Sequence, residues 1–109
     1  MERRSAVAIV PCSDLDASEA FYGKLGFRAV AVYEGYRILH DDGGAGVHLT
    51  RVPPGSVDPA SNAFGIYLYS PDVESLAAGF GCAAEAKPWG LREFAVLDPE
   101  GTLVRVGWP

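Results

Sequence analysis

Apolar and polar positions switch between two periods along this chain, and they do so twice in the same order. Residues 5–10 (SAVAIV) form a short apolar run that meets Pro11, which predicts a mostly buried strand. Ser13-Asp14 supplies an N-cap, and Leu15, Ser18, Phe21, Tyr22 and Leu25 follow at helical spacing until Gly26 ends the helix. Three strands are then predicted over residues 28–33, 36–40 and 47–52, with turns at Glu34-Gly35 and at Asp41-Asp42-Gly43-Gly44.

Residues 53–62 (PPGSVDPASN) read as a linker because Pro, Ser, Gly and Asp crowd there. The plan then repeats. Residues 64–69 (FGIYLY) predict a strand, and Ser70-Pro71-Asp72 predicts a capped helix start. Val73, Leu76, Ala77 and Phe80 form that helix's apolar face, and Gly81 ends it. Three more strands are expected, at 83–86, 92–97 and 103–108. The reading is an α+β fold of two βαβββ modules forming mixed curved sheets: one domain, with modules at about 5–52 and 63–108. Asp14 and Asp72 take equivalent places, and so do Gly46 and Gly101, which supports an internal repeat. One helix covers one face of a four-stranded sheet, so each module leaves a face to be covered by a ligand or a partner chain.

Composition narrows the function classes. The 109 residues suit one modest core, and 49% hydrophobic content describes a globular chain. No apolar run approaches the ~20 residues needed to span a bilayer, and Met1–Ser5 lacks the apolar core of a signal peptide. A cytoplasmic protein without membrane partners is expected. The net charge of −5, with Lys and Arg scattered, argues against nucleic acid and for a cationic ligand. Cys12 and Cys82 match no zinc pattern and are expected as buried free thiols.

The segment DLDASEAFYGKLGF (14–27) resembles the first-helix signature of the vicinal oxygen chelate superfamily, the glyoxalases, extradiol dioxygenases and bleomycin resistance proteins. Asp98-Pro99-Glu100-Gly101 is similar to the superfamily's DPDG turn, and Pro88-Trp89-Gly90 with Arg92-Glu93-Phe94 most resembles the bleomycin-resistance branch. The resemblance implies metal-ligand positions on the open strands. They fall at Val7, Gly65 and Arg105, with the first-half equivalent near Thr50. Val and Gly cannot coordinate a cation and Arg repels one. A slip of one residue to Ala6 or Ala8, Phe64 or Ile66, Val104 or Val106 restores nothing. No metal, no cofactor and no catalytic residues are therefore expected, and no Ser-His-Asp arrangement or phosphate loop is present.

The expected ligand-binding residues are Trp89 at a hairpin mouth, Tyr33 and Tyr36 as a second aromatic wall, His48 on the fourth strand, and Phe94 and Arg105 on the open face. Glu34, Asp41, Asp42 and Glu93 are expected to draw in a cation. The leading function is non-enzymatic sequestration of a bleomycin-type, cationic glycopeptide antibiotic by a homodimer. The alternatives are a metal-dependent glyoxalase-, dioxygenase- or thiol-transferase-like enzyme using His48, and a binding module for an unrelated small molecule.

Overall fold

A computed structural model describes residues 4–109 and divides the chain into two compact units, one reaching to Val57 and one spanning Asp58–Pro109. The first unit runs β1 (Ala8–Cys12), α1 (Leu15–Gly23), β2 (Arg28–Tyr33), β3 (Tyr36–His40) and β4 (Gly46–Arg51). The second runs β5 (Gly65–Tyr69), α2 (Val73–Gly79), β6 (Glu85–Ala86), β7 (Arg92–Leu97) and β8 (Leu103–Trp108). Each unit forms a four-stranded sheet, ordered β1-β4-β3-β2 and β5-β8-β7-β6. In each the first strand pairs parallel with the last and the remaining pairs are antiparallel. The two βαβββ modules thus share one topology. No helix among the described residues is long and apolar enough to cross a membrane.

Strand alternation decides what each sheet buries. In the first unit Val10, Cys12, Leu39, Val47 and Leu49 are buried with Leu15, Ser18 and Tyr22 of α1. In the second, Leu68, Phe94, Val104 and Val106 are buried with Val73 and Ala77 of α2. The alternate residues form the opposite, helix-free face. Arg37 reaches to α1, donating to Asp16 and Glu19 at 2.8 Å each, and Arg92 reaches Glu74 of α2 at 2.9 Å.

Several expectations need correction. The first strand is Ala8–Cys12, and Pro11 lies inside it, paired with Thr50. Proline is tolerated because β1 is an edge strand with one hydrogen-bonding side unused. Asp14 caps α1 by accepting from the Ala17 amide at 3.1 Å, but Asp72 makes no such bond. Ser70 Oγ instead accepts from the Asp72 amide at 3.1 Å. Cys12 is buried, whereas Cys82 is exposed.

The repeat also has a different register from the expected one. Asp41 Oδ1 accepts from the amides of Gly43 and Ala45, and Asp98 Oδ1 accepts from those of Glu100 and Thr102. Each turn closes through the aspartate's own amide, bonded to the carbonyl of Ala45 or Thr102. Gly44 and Gly101 take left-handed φ values of 94° and 77° at the same point. Gly101 therefore matches Gly44 rather than Gly46, which makes His48 the counterpart of Arg105 and Thr50 that of Gly107.

The two turn glycines separate backbone strain from crowding. A Cβ on Gly101 would lie 2.6 Å from the Pro59 carbonyl oxygen, whereas one on Gly44 meets open space. Gly44→Ala is expected to cost ~1 kcal/mol from its left-handed φ alone, and Gly101→Ala roughly 1–3 kcal/mol more. Urea unfolding of both variants measures the difference; equal losses would count against the close approach of Pro59.

Candidate functional site

The helix-free face of the second sheet carries a linked polar cluster. Cross-strand register aligns Tyr67 of β5 with Arg105 of β8, Arg105 with Ala95 of β7, and Glu93 with Gly107. Paired residues share a face, so Tyr67, Arg105, Glu93 and Ala95 all stand on this one. The Glu93 carboxylate is 1% exposed. Its Oε1 accepts from the Tyr67 hydroxyl at 2.7 Å and from Trp89 Nε1 at 3.3 Å, and its Oε2 accepts from Arg105 Nη1 at 2.9 Å. A buried carboxylate needs this many donors to remain ionised.

Gly107 makes the arrangement possible. A Cβ there would stand 2.1 Å from the Tyr67 hydroxyl oxygen, so any side chain would push Tyr67 away from Glu93. Burial alone would raise the Glu93 pKa. The hydrogen bonds from Tyr67, Arg105 and Trp89, with the charge of Arg105, outweigh it and hold the carboxyl below its ordinary range. The Tyr67 phenol moves the other way, to about 12, through burial and then through its bond to the Glu93 anion.

Trp89 sits in a tight turn closed by Gly90, whose φ is 86°. The indole is 59% exposed, and its N–H is the tether to Glu93. Arg105 is 45% exposed at its side chain. An open groove of about 340 Å³ borders this cluster, lined among others by Cys82, Lys87, Ala95 and Arg105.

In the first unit the equivalent strand positions hold a tyrosine and a histidine. Tyr36 and His48 share a 2.7 Å hydrogen bond between the phenol oxygen and Nδ1, with their rings edge-to-face at 5.4 Å. Tyr33 pairs with Tyr36 across the β2–β3 turn and is 62% exposed. Tyr33, Tyr36 and His48 thus gather on the first unit's helix-free face, and Trp89 and Arg105 gather on the second's.

Phe94 does not join them. It pairs with Val106, is 5% exposed, and faces α2, where its ring lies 6.2 Å from Phe80. The β7 sequence is apolar on both faces toward its C-terminal end, so alternation alone could not assign Phe94. Nor do the acidic residues converge. Asp42 pairs with Arg28, Asp41 binds its own turn amides, Glu34 stands exposed at the opposite end of β3, and Glu93 is sealed. Sequence reasoning missed Tyr67 and treated Glu93 as a surface acid, because their bond spans 26 residues.

The four ligand positions implied by the resemblance hold Val7, Gly65, Arg105 and, in the corrected register, His48. A set whose only donor side chain is one imidazole, with a guanidinium as another member, does not fit a divalent cation. Among the described residues no group of three or more His, Cys, Asp or Glu could hold a metal ion.

Residues 4–106 match the model of the Glyoxalase/Bleomycin resistance protein/Dioxygenase superfamily. The chain belongs to this superfamily. Two solved superfamily folds are similar over nearly the whole chain. A bleomycin-binding protein complexed with bleomycin is 26% identical, with 98% of this chain and 99% of that one covered and a TM-score of 0.83. A bleomycin resistance determinant encoded on the transposon Tn5 is also 26% identical, covering 97% and 98%, with a TM-score of 0.84. A glyoxalase/bleomycin resistance protein from Catenulispora acidiphila DSM 44928 shares the fold at 20% identity over 95% and 96%, with a TM-score of 0.72. No curated protein matches the chain in sequence.

The depressed Glu93 pKa predicts a pH dependence with a definite sign. A carboxyl whose folded pKa lies below its unfolded value of ~4.3 adds stability above that value and loses it as pH falls through the folded pKa. Stability should therefore drop as pH falls below about 5. Glu93→Gln should flatten that part of the profile while lowering stability at neutral pH. Chemical denaturation from pH 7 to pH 3 measures both; an unchanged acid slope in the variant would refute the assignment.

Proposed function

We propose that this protein is a non-enzymatic binding protein that sequesters a cationic glycopeptide antibiotic of the bleomycin type. The observation carrying this reading is the 26% identity to a bleomycin-binding protein over 98% of the chain, joined to an exposed, tethered Trp89. Sequestration needs affinity without bond breaking, which suits open faces bearing aromatic rings and, among the described residues, no metal donor set. Trp89 is the principal stacking surface, and its N–H···Glu93 bond limits the ring's motion, so less freedom is lost when ligand arrives. Tyr33, Tyr36 and His48 supply a second polar-aromatic surface on the first unit. Long-range attraction for a cation comes from the net charge of −5 rather than from a cluster of acids.

The same reading takes the working form to be a symmetric homodimer with two equivalent ligand grooves. Ile9, Tyr33, Phe64, Tyr69 and Leu97 are exposed large apolar or aromatic side chains that association would cover. Residues 53–62, stiffened by Pro53, Pro54 and Pro59, are long enough to let the modules pair across chains. Twofold oligomers are the commonest kind.

Calorimetric titration with a bleomycin-type glycopeptide tests the ligand. Trp89→Ala should weaken binding by roughly 1–3 kcal/mol, and Trp89→Phe should keep most of the affinity because a ring remains. No heat of binding to the unaltered protein would overturn the reading. Light scattering at micromolar concentration should give about twice the 11.6 kDa chain mass, and a clean monomer would remove the dimer.

A further inference from the structure

Two equivalent turns in the two units differ in what covers them. The Asp41–Ala45 turn is open, with Asp42, Gly43 and Gly44 exposed. Its counterpart, Asp98–Thr102, is closed: Asp98, Glu100, Gly101 and Thr102 are all buried. Both turns carry the same aspartate-to-amide bonds, so the turn itself does not demand burial. Residues 58–63 supply the difference. Pro59 lies so near Gly101 that a Cβ there would stand 2.6 Å from the Pro59 carbonyl oxygen, whereas one on Gly44 meets open space. Asn62 uses both ends of its amide. Its Nδ2 donates to the Glu100 carbonyl and to Thr102 Oγ1 at 3.0 Å each, and its Oδ1 accepts from the Phe64 amide at 2.9 Å.

These bonds secure the start of β5, an edge strand whose one neighbour in the sheet is β8. A strand held on one side only opens most readily from its ends. Phe64, just before β5, is held twice: its amide by Asn62, and its carbonyl by the Leu103 amide at 3.1 Å. Upstream, Asp58 folds residues 58–61 into a turn, its carboxylate accepting from the Ala60 amide and its carbonyl from the Ser61 amide. Residues 53–57 are different. Among the described residues their hydrogen bonds stay inside the segment, from the Ser56 amide and hydroxyl to the Pro53 carbonyl, and Gly55 takes a left-handed φ of 84°. We propose that residues 58–63 are a latch that holds β5 on its sheet, with Asn62 as the catch and Gly101 as the seat, and that the connecting segment bends only within residues 53–57. This conformational device goes beyond the ligand and dimer readings and stands whatever the protein binds. It also shortens the free crossing between the units to five residues, at most about 17 Å.

Hydrogen exchange read by mass spectrometry on the full chain tests the latch, and limited cleavage by a non-specific protease tests the bend. The unaltered protein should be cut first within residues 53–57. Asn62→Ala should speed exchange over residues 64–68 by at least about tenfold while leaving the first unit's strands unchanged. Asn62→Asp keeps the acceptor for Phe64 but loses both donors and sets a carboxylate against the Glu100 carbonyl, so it should open the latch as the alanine does. Gly101→Ala should unseat Pro59 and speed the same residues, whereas Gly44→Ala, with a similar backbone strain, should not. Combining Asn62→Ala with Gly101→Ala should add little to either alone, because both release one latch. First cleavage of the unaltered protein within residues 58–63, full protection of residues 64–68 in Asn62→Asp, or equal acceleration across both units in Asn62→Ala would each overturn the proposal.

Discussion

A four-stranded sheet with one helix has two faces and a single cover, and that imbalance organises everything else in each unit. Strand alternation sends every second side chain toward the helix, where Leu39, Leu49, Val104 and Val106 are packed out of water. The intervening residues are relieved of core packing. They can be small, aromatic or charged without unfolding the unit, and it is there that the chemistry gathers. Glu93 is the exception that turns this freedom to use: it stands on the helix-free face but is nonetheless sealed, because three side chains close over it.

The internal repeat makes the consequence visible by comparison. The same two strand positions hold Tyr36 and His48 in one unit and Glu93 and Arg105 in the other, and both pairs are hydrogen-bonded. One is an aromatic pair, half-buried; the other joins a sealed carboxylate to a half-exposed guanidinium. The fold evidently tolerates either at no cost to the strand pairing around it, so the two faces have diverged in electrostatic character while keeping their register. Two surfaces of unlike side-chain chemistry are thereby carried on one architecture.

Much of the fold was readable from the chain because its signals are local. Alternation over Arg28–Tyr33, Tyr36–His40, Arg92–Leu97 and Leu103–Trp108 marked those strands, and Asp14 marked a helix start. Failures came where a local signal was answered by something distant. Pro11 reads as a stop, yet an edge strand accepts it. Asp72 reads as a cap, yet Ser70 does the bonding. The site was half readable: Trp89 and Arg105 follow from turn chemistry and strand parity. The burial of Glu93 depends on Tyr67, two strands away in the sheet, and Phe94 occupies a strand whose two faces are both partly apolar.

Gly107 imposes an order on how such a cluster can be assembled by substitution. Tyr67 cannot bring its hydroxyl to Glu93 while any side chain occupies position 107. In the first unit the place matching Gly107 is filled by Thr50, and the place matching Tyr67 is held by Ile9, which pairs with His48 and has no hydroxyl to deliver. A lineage starting from a threonine there would have to lose the side chain before the tyrosine could be of use. A glycine appearing first would leave room for the phenol, whereas a tyrosine appearing first would be crowded out. The buried carboxylate is thus compatible with one order of substitution and not with its reverse, which makes an empty volume, rather than any reactive group, the condition on which the charge of this face depends.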